Sequence, residues 1–85
     1  MNFENKPEIH YPTKWEYKII GSNINDMVNA VKDIVADLEY DLEPSNISRK
    51  AKYFSLRVLV LVPSEIFRDK IFRGFRDHPA IKFVI

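Results

Sequence analysis

The densest apolar stretch of the chain is Phe54-Ser55-Leu56-Arg57-Val58-Leu59-Val60-Leu61-Val62, and it stops at Pro63. Its Val and Leu content suits a pleated surface in the middle of a sheet. Alternation puts Phe54, Leu56, Val58, Val60 and Val62 on one face and Ser55, Arg57, Leu59 and Leu61 on the other. The first face is wholly apolar, which predicts a cover of helices. The second is mixed, which predicts contact with water or with a partner.

The flanking segments supply the other elements. Residues 15–20 alternate as a strand, with Trp15, Tyr17 and Ile19 inward and Glu16, Lys18 and Ile20 outward. Gly21-Ser22-Asn23 is turn chemistry, and Asn23 or Asn25 is the cap of a helix over 25–39. In that helix Met27, Val31, Ile34 and Leu38 form the apolar stripe, widened by Val28 and Val35. Residues 40–44 read as a connector and 45–50 as a polar edge strand, with Ala51-Lys52 turning the chain into the central strand. Ser64 caps a second helix over 65–76, whose stripe is Phe67, Ile71, Gly74 and Phe75. Residues 80–85 alternate as a last strand with Ile81, Phe83 and Ile85 inward.

The order strand, helix, strand, strand, helix, strand predicts an α+β, ferredoxin-like βαββαβ sandwich. Its four-stranded antiparallel sheet carries two helices on one face. The first and third strands are expected in the centre, running parallel. Residues 1–10 show no period and are expected to be a flexible N-terminal arm on a single domain over 11–85.

Composition narrows the functional classes. The chain has 85 residues and no cysteine, so disulfide frameworks and thiolate metal sites are excluded. The N-terminus lacks an apolar signal-peptide core, and no uncharged run approaches a membrane span. A soluble cytoplasmic protein is the expectation. The net charge of +1 conceals an asymmetry: residues 1–43 sum to −5 and residues 44–85 to +6. Such halves neutralise each other when packed side by side, or mark an interaction surface.

Three groups of residues carry a resemblance. Tyr11-Pro12-x-x-Trp15-x-Tyr17-Lys18-Ile19-Ile20-Gly21, then Tyr53-x-Ser55, then Ile81-Lys82-x-Val84-Ile85 resemble, in that order, the YbeD-like family of small bacterial proteins. The likeness covers about residues 11–85. It implies a ferredoxin-like fold similar to the ACT domains that sense amino acids, and it brings no catalytic residues. Ala51 departs from the family pattern, which favours Gly at the hairpin before the tyrosine.

Enzyme chemistry lacks a constellation: the two histidines, His10 and His78, lie far apart, no Cys/His cluster exists, and the carboxylates fall mainly on the solvent face of the first helix. A non-enzymatic regulatory or adaptor module without cofactor or metal is therefore expected. It would bind a protein partner or a small molecule as a monomer or homodimer, with no membrane role. Three candidate surfaces follow. The open sheet face displays Lys18, Ile20, Ser55, Arg57, Leu59, Leu61 and Lys82, beside Glu16 and Val84. The turn Gly21, Ser22 and Asn23 offers backbone N–H groups at a helix N-terminus to a carboxylate ligand. The second helix presents Arg68, Lys70, Arg73 and Arg76 to an acidic partner, with part of that charge satisfied by the pairs Asp69–Arg73 and Arg73–Asp77. The alternative is single-stranded nucleic acid on the open face. It is weakened because Phe54 points inward, leaving Tyr53 as the outward aromatic, and because the net charge is near zero.

Overall fold

The structure, a computed structural model, describes residues 8–46 and 52–85. The elements are β1 (Thr13–Gly21), α1 (Ile24–Val35), β2 (Tyr40–Asn46), β3 (Phe54–Val62), α2 (Glu65–Asp77) and β4 (Phe83–Val84). The sheet order is β2-β3-β1-β4, with every neighbouring pair antiparallel. This is the ferredoxin-like α+β arrangement expected from the element order. One detail differs: β1 and β3 are the central pair, but they run antiparallel, from Thr13↔Val62 to Gly21↔Phe54. The reason is topological. A right-handed β1-α1-β2 crossover makes β1 and β2 parallel, and the β2–β3 hairpin then reverses β3 against both.

Side-chain alternation along β1 and β3 builds the core. Tyr17, Ile19, Leu56, Val58, Val60 and Val62 are buried against Met27, Ala30, Val31 and Val35 of α1 and Ile71 and Phe75 of α2. The Tyr17 and Phe75 rings meet edge to face at 5.4 Å between centroids. Gly74 lets α2 approach α1, since a Cβ there would lie 3.0 Å from Ile34 Cγ2. Both helix starts follow the capping rule: the Asn23 side chain accepts from the Asp26 N–H, and the Ser64 hydroxyl accepts from the Phe67 N–H.

Three elements depart from expectation. Helix α1 stops at Val35 because Ala36 takes φ 55°, which no helix can continue; Leu38 then packs on the core from a loop. The expected connector at 40–44 is the strand itself. Tyr40 and Leu42 pack against the core while Asp41 and Glu43 stay exposed, and Pro44 is accommodated by a bulge in which Pro44 faces Leu56 and Asn46 faces Ser55. Proline is compatible with this strand because β2 is an edge. Of the edge strand expected over 45–50, residues 47–50 lie outside the described residues, as do Ala51 and the arm up to residue 7.

The last strand is shorter and out of phase. The Ile81 N–H donates to the His78 carbonyl, so Ile81 still belongs to the turn, and pairing begins after it. Ile81 is buried, but Phe83 and Ile85 point away from the core and Val84 packs toward it. No helix among the described residues is long and apolar enough to cross a membrane.

Candidate functional site

The face of the sheet opposite the helices is assembled by register. Phe83 pairs with Ile20 across β4–β1, and Ile20 pairs with Ser55 across β1–β3. One step along, Ile85 and Lys18 exchange both backbone hydrogen bonds, at 3.2 and 2.9 Å, and Lys18 faces Arg57, which faces Glu43. Beyond that row lie Glu16, Leu59 and Asp41, then Lys14 and Leu61. Residues directly opposite share a face, so these rows form one surface. Phe83 is 64% exposed and Ile85 74%, while Ile20, Leu59 and Leu61 are half-buried. Phe83, Ile85 and Ile20 thus form an apolar patch at the β4 edge, and Leu59 with Leu61 a second on β3, with Lys18 and Arg57 between the two.

Charge on this face is mixed: Asp41 and Glu43 stand on β2, Lys14, Glu16 and Lys18 alternate in sign along β1, and Lys82 is exposed just before β4. Arg57 lies between, with Nε 3.7 Å from Glu16 Oε1 and Nη1 4.0 Å from Glu43 Oε2. All three side chains are well solvated, so these contacts fix orientation more than they add stability.

The open-face candidates Lys18, Ile20, Arg57, Leu59 and Leu61 therefore share one face, and Lys82 lies in the bend that leads into β4 at its edge. Ser55 shares their face but is only 7% exposed, and its hydroxyl has no hydrogen-bond partner among the described residues. It sits opposite the β2 bulge. Val84, expected outward, packs toward the core instead. Phe83 and Ile85 join this face against the sequence pattern, because alternation from Ile81 turns them inward. Pro79 was the available signal: a turn through His78-Pro79-Ala80 holds Ile81 out of the strand.

The turn candidates have mechanical roles. Gly21 is buried, and a Cβ there would lie 2.5 Å from the Ala80 carbonyl oxygen. Asn23 is the cap of α1, so one N-terminal amide is already engaged. Ser22 is exposed. The neighbouring hollow is lined by Asp26 and Asp33, facing His78 and Pro79. Two carboxylates there repel an anionic ligand. The His78 ring accepts a hydrogen bond at Nδ1 from the Ala80 N–H, 3.0 Å away.

The basic residues of α2 divide into different environments. Arg68 is mostly covered, its guanidinium 4.5 Å above the Trp15 ring, donating to the Tyr11 hydroxyl at 3.1 Å and to Glu65 at 3.2 Å. The Tyr17 hydroxyl donates to the Arg68 carbonyl at 2.7 Å. Tyr11, Trp15 and Tyr17 thus share one corner that clamps the entry of β1 to α2. Burial pushes the Tyr17 phenol up from 10.0 to about 12. Arg76 pairs with Asp77 at 3.0 Å, and that bond holds the Asp77 carboxyl below its usual value. Lys70 lies over the Phe67 ring at 5.8 Å, and Arg73 is exposed. The expected pairs Asp69–Arg73 and Arg73–Asp77 do not form; Asp69 and Asp77 bind the arginines next to them instead.

The helix layer also has a hollow of about 210 Å³ between α1 and α2, lined by Ile34, Leu38, Phe67, Lys70 and Ile71. Among the described residues no group of three or more His, Cys, Asp or Glu is placed to hold a metal ion.

Comparison with known proteins bears on the whole chain. Residues 6–85 match the family described as Protein of unknown function (DUF493). An uncharacterised protein of Campylobacter jejuni is 34% identical over 99% of this chain and 94% of its own. A UPF0250 protein of Hahella chejuensis is 30% identical over 93% of this chain and 91% of its own. The solution structure of protein HP0495 from Helicobacter pylori superposes with a TM-score of 0.81 at 25% identity, covering 98% of this chain and 91% of that one. The chain belongs to the DUF493 family, the YbeD-like UPF0250 proteins of bacteria.

Proposed function

We propose that the chain is a small protein-docking module, an adaptor without catalytic chemistry, and that it works through the open face of its sheet. The observation that carries this reading is a pair of apolar patches, Phe83, Ile85 and Ile20 at the β4 edge and Leu59 with Leu61 on β3, on a face that no described element covers. Apolar patches set among charges gain from being buried against a complementary surface. The charges state the partner's chemistry: apolar groups for the two patches, a basic flank over Asp41 and Glu43, and a flank over β1 that meets Lys14 and Lys18 with acid and leaves Glu16 to Arg57.

The other candidate surfaces have weaker support. At the Gly21-Ser22-Asn23 turn a carboxylate would meet Asp26 and Asp33 nearby and an amide already taken by Asn23. On α2, Arg68 and Arg76 already have carboxylate partners. Single-stranded nucleic acid finds one sheet aromatic that was not anticipated, Phe83, but meets Glu16, Asp41 and Glu43 on the same face, which repel phosphate.

The test compares face variants with helix variants in one crosslinking experiment. A photocrosslinking residue is placed at Ser22 in one series and at Lys82 in another, in living cells. Adducts are expected from Lys82, to be lost in Phe83→Asp and Leu61→Asp, and to persist in Arg73→Glu and Ile66→Asp. Adducts from Ser22 that survive the face variants would sink the reading. A short single-stranded oligonucleotide that binds at moderate salt and shifts Phe83 and Lys18 would replace it with the nucleic-acid one.

A further inference from the structure

Strand β1 spans nine residues and is paired along its whole length with β3. On its other side β4 pairs only with Ile19 and Ile20, and its line ends at the Lys18–Ile85 hydrogen bonds. Because Lys18 directs its N–H and C=O toward β4, the period of the ladder directs those of Glu16 and Lys14 the same way. Among the described residues no strand lies beside them. Residues 13–17 therefore present a half-empty slot in line with β4, with the Lys14 and Glu16 side chains exposed on the open face.

We infer that this slot takes a second copy of the chain, β1 against β1 in antiparallel register about a two-fold axis at Trp15. The charges choose the occupant and the register. Centred on Trp15, Lys14 of each copy stands opposite Glu16 of the other, twice over by symmetry. Centred on Lys14 or on Glu16, like charges stand directly opposite and repel. A strand from another protein has no reason to carry the same spacing in reverse. The contact has defined ends: Ile85 occupies the position next to Lys18, and Tyr11, held by Arg68, turns away toward α2. Two hydrogen-bonded pairs per contact make the dimer weak, well below the area of a standard interface. It joins two open faces into one eight-stranded platform, and it does not depend on what binds that platform.

Sedimentation of the full chain from about 10 µM to about 1 mM reads the association, the range a small interface demands. The wild type is expected to dimerise toward the upper end. Lys14→Glu alone and Glu16→Lys alone are each expected to dissociate about tenfold more readily, since each sets like charges opposite. Mixed together they restore a heterodimer at least as tight as wild type, because one copy then carries two carboxylates and the other two ammonium groups. This mixing arm remains decisive although Glu16→Lys also removes the contact with Arg57. Amide exchange at Lys14 and Glu16 in the wild type supplies a second readout, with protection rising with concentration. A wild type monomeric at every concentration overturns the inference. So does a mixture no tighter than either variant alone, or amide protection unchanged on dilution, which would assign the slot to a segment of the same chain.

Discussion

Two faces of one strand behave as different materials. On the helix side of β3, Val58, Val60 and Val62 are fully buried in a core shared with both helices. On the opposite side, Arg57, Leu59 and Leu61 alternate with them at half exposure, flanked by Glu16 on β1 and by Asp41 and Glu43 on β2. Five of these six positions hold branched aliphatics, so the two sets differ little in composition. What separates them is the neighbourhood: aliphatic and aromatic on one side, charged on the other. Burial on the first side is what folds the chain. The apolar residues on the second side contribute little to folding, which leaves them available for another surface.

The comparison breaks most visibly at Val60. Val60→Asp places an uncompensated carboxylate among Tyr17, Ile71 and Phe75, and no folded state is expected; amide dispersion in a proton–nitrogen spectrum collapses. A dispersed spectrum for that variant would show that the buried side has been assigned wrongly. Gly21→Ala comes next. Its Cβ would stand 2.5 Å from the Ala80 carbonyl oxygen and 2.9 Å from Met27 Sδ, so the backbone must move. A loss of about 1–3 kcal/mol is expected, read by denaturant titration.

Tyr17 tests the same side chemically. Its hydroxyl reaches the Arg68 carbonyl, and Tyr17→Phe should lose about 1 kcal/mol. The buried phenol holds its proton more tightly in the folded state than in the unfolded one, at about 12 against 10.0. Its contribution to stability is therefore complete below pH 10 and is lost as pH rises from 10 toward 12. In the phenylalanine variant that alkaline fall should flatten. Ala36 works in the opposite direction: its φ of 55° suits glycine, and Ala36→Gly should stabilise by about 1 kcal/mol, read as a higher midpoint in the same titration.

Most of the fold was legible because it is written in short periods. The stripe Met27, Val31, Val35, the caps Asn23 and Ser64, and the alternation of β3 each depend on neighbours within one or two turns of chain. Gly74 was legible for the same reason, as a gap in a stripe where the helices meet. What escaped depends on partners distant in sequence. Pro44 obscured β2, since only knowledge of the strand order reveals that it sits on an edge where a missing N–H costs nothing. Alternation counted from Ile81 turns Phe83 and Ile85 inward, but the Ile81 N–H is spent on His78. The leucines and cations of the open face are legible in the alternation of β3, whereas its acidic flank belongs to β2 and is not. The clamp of Arg68 over Trp15 joins positions 53 residues apart and leaves no local trace.

Leu59 carries the smallest expected effect and the sharpest test of the comparison. It lies one residue from Val60, so the two substitutions differ in face and in nothing else along the chain. Its cross-strand neighbours are Glu16 on one side and Asp41 on the other. Leu59→Lys extends an ammonium group between two carboxylates in solvent, gaining weak pairs while giving up some half-buried aliphatic area. Those terms oppose each other, and stability should change by no more than about 0.5 kcal/mol. Leu59→Asp puts a third carboxylate in the same row and should cost about 1 kcal/mol more than the lysine variant, a gap that narrows as salt screens the repulsion. Equal melting of the two variants at low salt would mean that the charges of β1 and β2 do not meet across β3, and the open face would lose the pattern that defines its partner.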